Sequence, residues 1–273
     1  DNKITVSVST FAIYDIVKNI SQNTLNINTI LPFGIDAHAY EPTPKQMVTL
    51  SKSALVIYSG AGLESWCKNF SFSNKVLDMS KYVSLNNLEK GHEHHHDSSI
   101  DPHYWLDVNN MIIASEVITK NLISIVPENK VLYEKNLNLY INMLKKIDKD
   151  YKKNLYECKL NTIIVNHNAY SYLSTKYGFH TQSLSGLSPE AQTSAKVMIE
   201  LMKEIKEHNI KTIFFENFTS DKSIKSMAKD LSVKADSLHT LGNITVDEAK
   251  LNVTYEELMR ENLKKIANAL ECK

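Results

Sequence analysis

Three histidines stand far apart in this chain, each in a distinctive setting: His38 in GIDAHAYEPTP, His103 in DPHYWLD and His167 in VNHNAYSYLSTKYG. A denser group, His92, His94, His95 and His96, is packed into GHEHHHD. Neutral imidazole is a ligand for transition metals, and three imidazoles with one further donor complete a four-coordinate zinc site. No two of the three isolated histidines lie within one helical turn, so a site that uses them must be closed by the fold. A lone loop histidine is usually solvated, but these settings are unusual. Pro42 and Pro44 beside His38, for example, restrict the backbone in a way that suits a pre-organised ligand.

Composition narrows the partners. The chain of 273 residues carries 31 basic and 31 acidic side chains, and Arg260 is its one arginine. Neither counterion release nor bidentate phosphate recognition has much to work with, so nucleic acid is excluded as a partner. With 42% hydrophobic residues the chain can fill two domain cores or one large α/β core. No run of about 18 apolar residues reads as a membrane span. The opening DNKITVSVST reads as a strand and not as a signal peptide, as expected of a trimmed exported protein and equally of a cytosolic one. Cys67, Cys158 and Cys272 cannot all pair with one another; a Cys158–Cys272 bridge is open to them.

The elements that must position the histidines alternate between strand and helix. Residues 4–9 read as a strand, 11–20 as a helix, 26–31 as a strand, and Pro44 opens the next helix. ALVIYSG (54–60) has the continuous apolar run of a buried parallel strand, a helix follows around 63–69, and 75–80 reads as a weaker strand. Residues 86–102 carry no apolar periodicity and read as a surface loop. After a helix over 108–125, an uninterrupted segment over 128–156 repeats Leu137, Ile141, Leu144, Ile147, Tyr151 and Leu155 at helical steps. That helix would be about 40 Å long at about 1.5 Å per residue. Strands at 161–166, 211–217 and 233–238 then alternate with helices over 169–177, 192–208, 221–231 and 255–270. The pattern predicts an α/β fold of two small parallel-sheet lobes joined by one long backbone helix, divided as 1–127, 128–156 and 157–273.

In open parallel sheets, ligands bind beyond the carboxyl ends of strands. His167 directly follows a strand, His38 lies in the loop after another, His103 precedes a helix that Asp107 can cap, and Asp236 falls near the end of the strand over 233–238. This placement puts His38 and His103 on the first lobe and His167 and Asp236 on the second, with a metal expected in the interlobe cleft.

These motifs resemble the metal-specific solute-binding proteins of bacterial ABC transporters, the cluster A-I family, and its zinc branch in particular. The resemblance covers essentially the whole chain. It rests on the GxDxHxYEPTP segment, on DPHYWLD, on the HxAxxYxxxxYG segment beginning at His167, and on GLSPEAQTSAK at 186–196. It implies metal ligation by His38, His103 and His167, with Asp236 in the fourth position and His239 or water as alternatives there. Glu41 and Asp107 become candidate carboxylates to hydrogen-bond the ligand imidazoles, although turn and cap roles explain them equally well. Histidine at the third position, where manganese-type relatives carry Glu, favours Zn²⁺, and three neutral nitrogens suit that borderline-soft ion. The His-rich loop is a zinc-branch feature, read here either as a solvated tract or as a low-affinity antenna.

The expected function is capture of extracytoplasmic Zn²⁺ and its delivery to an ABC permease and ATPase, by a monomer without catalytic activity. The chain is expected either on the outer face of the cytoplasmic membrane of a Gram-positive cell, held by a lipid anchor, or in a periplasm. A manganese- or iron-binding homologue is the alternative within the class. A zinc metallohydrolase would need a general base beside a bound water, and no HExxH motif is present. A surface adhesin finds no supporting repeat.

Overall fold

The computed structural model describes residues 3–69, 75–87, 100–183, 194–216 and 221–273. The His-rich group at His92, His94, His95 and His96 lies outside the described residues, as does most of the GLSPEAQTSAK segment. The chain divides into two compact units, Asp1–Lys146 with Leu241–Tyr255 and Ile147–Thr240 with Glu256–Lys273. The linear division at 127 and 156 does not contain this return of Leu241–Tyr255 to the first unit.

In the first unit, β1 (Thr5–Val8), β2 (Asn26–Thr29), β3 (Leu55–Tyr58) and β4 (Lys75–Asp78) form a parallel sheet in the order β2-β1-β3-β4. Helices α1 (Phe11–Ser21) and α2 (Pro44–Lys52) make the crossovers, as parallel pairing requires. Val6, Val8, Val56 and Ile57 are fully buried, and Ile30, Leu50, Val56 and Trp66 share one core cluster. The helix expected over 63–69 is a 3-10 turn, Ser65–Asn69. Helix α3 (Val108–Ile125) begins on Asp107, whose carboxylate accepts from the Asn109 amide at 2.9 Å.

Helix α4 (Lys130–Asn154) carries the chain without a break from the first unit into the second. In its first half the buried stripe is Tyr133, Asn136 and Tyr140, not the predicted Leu137 and Ile141, which are only partly buried. The reason is polar satisfaction: the Tyr133 hydroxyl meets Thr24 at 2.7 Å, and Tyr140 donates to the buried carboxylate of Asp15 at 2.8 Å. In the second half Leu144, Ile147, Tyr151 and Leu155 are buried as the spacing predicts.

The second unit repeats the plan. Strands β5 (Thr162–Val165), β6 (His180–Ser183), β7 (Thr212–Glu216) and β8 (Lys234–Leu238) pair in parallel in the order β6-β5-β7-β8. Helices α5 (Ser171–Tyr177), α6 (Ala195–Glu207) and α7 (Asp221–Asp230) link them. Gly178, at φ 77°, ends α5 in the left-handed conformation that glycine adopts without strain. The polar edge strand β6 and the short helix α8 (Val246–Lys250) carry no apolar signal and were not expected from the sequence. Helix α9 (Tyr255–Ala269) leads to the chain end, where Cys272 is bonded to Cys158 across a separation of 114 residues.

A cross-link of that span removes chain entropy from the unfolded state, typically worth about 2–4 kcal/mol. Replacing both Cys158 and Cys272 with Ser is expected to lower the free energy of unfolding by that amount, read as a fall in the urea midpoint. Urea titration followed by circular dichroism checks it, and adding reductant to the parent protein should reproduce the shift.

Candidate metal centre

His38 sits in the middle of a 3-10 turn, Ala37–Ala39, in the loop after β2. Asp36 caps the turn and accepts from the His38 amide at 2.9 Å. Downstream, Thr43 and Gln46 form a reciprocal capping box with Pro44 in the first turn of α2, a well-specified helix start. Gln46 also donates to the Ile30 carbonyl at 3.0 Å and accepts from the Tyr40 hydroxyl, so the loop is tied back to the end of β2. The His38 side chain itself is exposed.

His103 is the opposite case, with 4% of its surface exposed. The carboxylate of Asp101, itself fully buried, accepts from the His103 amide at 3.0 Å and contacts Nδ1 of the ring at 2.7 Å. Trp105 packs edge-on against the ring, with centroids 5.4 Å apart. The imidazole is therefore fixed in position and in rotation.

The first unit brings these two histidines together. Nε2 of His38 lies 3.2 Å from Nε2 of His103, with the rings inclined at 52°. The segment Leu241–Tyr255 braces both loops. Asn243 donates to the carbonyls of Pro32 (2.7 Å) and Ile35 (2.8 Å), and Gly34 donates to Ile244 at 2.9 Å. Tyr255 donates to the Trp105 carbonyl at 2.6 Å, and its own amide is held by Asp15 at 3.1 Å. At Gly242 a Cβ would come within 3.3 Å of the Trp105 ring.

In the second unit His167 follows β5 by two residues. In the order β6-β5-β7-β8 the winding direction reverses between β5 and β7, the place where such sheets bind ligands. The Asn166 amide bonds the Phe214 carbonyl at 3.1 Å, and the Asn166 side chain accepts from the Glu216 amide at 3.2 Å. Glu216, at the end of β7, places its carboxylate against Nδ1 of His167. Tyr170 pins the following turn by donating to the Leu238 carbonyl at 2.9 Å. Asp236 lies within β8, opposite Phe214 and two residues short of the strand end, with Lys234 and Lys265 each 3.5 Å from its carboxylate. His239 is buried, and its amide donates to Asn262 at 2.9 Å.

The carboxylates seated against imidazoles are thus Asp101 and Glu216. Asp107 caps α3, and Glu41 is exposed in the loop before α2. From residue order alone Asp101 receives no role, and Glu216 at the end of FFEN reads as a structural residue and not a ligand. A signal for Asp101 was available, since an Asp two residues before a His can bond both its amide and its ring. Glu216 is found only from strand order, which places the ends of β5 and β7 side by side.

A third carboxylate occupies the corresponding place in the first sheet, between β1 and β3. Glu64 accepts from the Ser9 hydroxyl (2.5 Å) and from the amides of Ser59 (2.8 Å) and Gly60 (2.9 Å). Burial pushes its carboxyl above the ordinary range, against the opposing pull of those donors. With Ser9, Thr10, Tyr40 and Trp66 it lines a small, partly open pocket that reaches Ala37, next to His38.

Two four-stranded parallel α/β units on one continuous helix, with imidazoles on the loops at strand ends, define the class of α/β solute-binding proteins. The chain belongs to the ZnuA family, zinc-uptake complex component A periplasmic, whose model matches residues 6–269. It is 29% identical to the high-affinity zinc uptake system protein ZnuA of Bacillus subtilis (strain 168), over 98% of this chain and 88% of that protein. It is 29% identical to the zinc-binding lipoprotein AdcA of Streptococcus pneumoniae (strain ATCC BAA-255 / R6), over 97% of this chain, but spans only 55% of that longer protein. The crystal structure of the Zn(II)-bound ZnuA-like domain of Streptococcus pneumoniae AdcA superposes with a TM-score of 0.87 at 27% identity, covering 99% of this chain and 100% of that domain.

The Glu64 cradle depends on Gly60, at φ 78°, where a Cβ would lie 2.0 Å from Asp78 Oδ1 and 2.5 Å from Ser80 Oγ. Gly60→Ala is expected to destabilise the protein by more than about 1 kcal/mol, the loss typical where the new residue cannot adopt the native backbone. A lowered thermal midpoint in circular dichroism is the readout.

Proposed function

We propose that this chain is the zinc-capturing component of an ABC importer, holding one Zn²⁺ through His38, His103 and His167 and passing it unchanged to a membrane permease driven by its ATPase. One observation carries the reading: the Nε2 atoms of His38 and His103 face each other at 3.2 Å, with a buried carboxylate behind His103. Two nitrogens bound tetrahedrally at about 2.0–2.1 Å from zinc are separated by about 3.3 Å, so the pair already has close to the edge length of a zinc tetrahedron. Glu216 behind His167 supports the same role for the third histidine, since ligating imidazoles usually donate their other N–H to an oxygen.

For the fourth position we favour water over Asp236, because binding there would draw Asp236 away from Lys234 and Lys265. His239 is the other protein candidate. Family membership and the names of the relatives support zinc as cargo and an extracytoplasmic site of action. Among the described residues no helix is long and apolar enough to cross a membrane; the lipoprotein name of the AdcA relative supports a lipid anchor at the outer face.

Purified metal-free protein should bind one Zn²⁺ per chain tightly in competition with a chromophoric chelator. Ala at His38, His103 or His167 should each raise the Kd by more than about 100-fold, above the 10–100-fold typical of losing a ligand's hydrogen-bond partner. Asp236→Ala should leave Kd nearly unchanged if water is the fourth donor. Ligation needs neutral imidazoles, so affinity should fall as the solution is acidified and protons compete for the ring nitrogens. Wild-type protein that takes up no stoichiometric zinc would refute the reading.

A further inference from the structure

Helix α4 carries a charge pattern that metal capture does not use. Its last ten residues hold Lys145, Lys146, Lys149, Lys152 and Lys153, all of them exposed. At about 100° per residue these five fall within an arc of about 120° on one side of the helix. The acids of the same stretch, Asp148 and Asp150, flank that arc and are engaged elsewhere. Asp148 accepts from the Tyr177 hydroxyl at 3.0 Å and lies 3.7 Å from Lys176, and Asp150 meets Arg260 at 2.6 Å. Asp148 also reaches Lys152 at 2.6 Å. Among the described residues, Lys145, Lys146, Lys149 and Lys153 make no ion pair.

Neither composition nor helix stability accounts for such a face. The whole chain balances 31 basic against 31 acidic residues, so one sign on one side is a local segregation. Cations near a helix C-terminus favour the dipole, which explains Lys152 and Lys153 in the last turn but not Lys145, Lys146 or Lys149. Lys145, Lys149 and Lys153 stand four residues apart, a spacing at which like charges weaken a helix. A partner of opposite sign turns that cost into attraction. Lysine ammonium groups are hydrated point charges, suited to summed attraction toward an extended anionic surface. Bidentate recognition of single phosphates is arginine's chemistry, and Arg260 is already held by Asp150 and Glu256. Tyr156, two residues beyond the helix, is 83% exposed and has the apolar ring and polar tip that settle at the headgroup level of a bilayer.

We propose that this lysine face of α4 docks on an anionic phospholipid surface, so that the anchored chain lies against the membrane. The inference rests on the outer-face reading above and deepens it, since a basic face adds electrostatic attraction to that of a lipid anchor.

The test mixes the full chain with sedimentable vesicles of phosphatidylcholine, alone or with phosphatidylglycerol in equal part. The protein should partition onto the phosphatidylglycerol vesicles at low ionic strength, less so as salt is added, and not onto phosphatidylcholine alone. The triple variant Lys145→Gln, Lys149→Gln, Lys153→Gln keeps helix-forming side chains and should lower the partition coefficient at least about tenfold. The control triple Lys196→Gln, Lys203→Gln, Lys206→Gln makes the same change of net charge on α6, where exposed Glu200 and Glu207 stand among the lysines, and should lower it far less. Equal loss in the two triples would overturn the proposal, because net charge alone would then drive binding. So would equal partition onto both kinds of vesicle, no partition at low ionic strength, or binding to soluble polyphosphate without binding to vesicles. Partition is read without zinc, so a protein that sediments with vesicles but takes up no zinc would count against the proposed function alone.

Discussion

A buried carboxylate holding a buried imidazole is the interaction on which the rest of the first unit's design depends. Asp101 and His103 could not remain inside the protein singly, because each would leave a polar group without water or partner. Together they satisfy one another and turn a ring nitrogen toward His38. The surrounding structure serves that alignment. Trp105 flanks the ring, Tyr255 holds the Trp105 carbonyl, and Asp15 holds Tyr255. The last two bonds join residues 150 and 240 positions apart, so the geometry of a two-residue motif is set by the far end of the chain.

The two sheets share a strand order and use its reversal point in different ways. In the first, Glu64 is enclosed by Ser9, Ser59 and Gly60, and a polar knot closes the gap between β1 and β3. In the second, Asn166 and Glu216 make the equivalent link between β5 and β7 but leave a half-exposed imidazole, His167, at its edge. The same topological opening is filled by Glu64 in one unit and carries the candidate ligand His167 in the other. In the first unit the candidate ligands His38 and His103 lie instead on the loop after β2 and the turn before α3.

Much of this was legible from residue order. The apolar run of β3, Pro44 at the start of α2 and the long helical periodicity of α4 all announce themselves locally, and the motifs around His38, His103 and His167 mark the candidate ligands. What was not legible depends on contacts distant in sequence. The register of α4 is set by tyrosines that bury rings and satisfy hydroxyls, which an apolar count misplaces. β6 is an edge strand of polar residues. The return of Leu241–Tyr255 has a local trace in the Thr245–Glu248 capping box, yet its bracing of both histidine loops appears only in three dimensions. Asp236 stands two residues before the strand end both in the expected strand over 233–238 and in β8; what residue order did not show is that Lys234 and Lys265 each lie 3.5 Å from its carboxylate.

The remaining cysteine has its own bearing on how the protein matures. Cys67 packs beside the cluster around Trp66, and burial, then the carboxylates of Glu64 and Asp78, push its thiol far above the ordinary range. Thiol–disulfide exchange proceeds through the thiolate. Once the first unit has folded, Cys67 is therefore a poor partner for shuffling, and three cysteines yield a single pairing outcome in an oxidising compartment. Suppressing the odd thiol's reactivity guards against mispaired and cross-linked products without removing the residue.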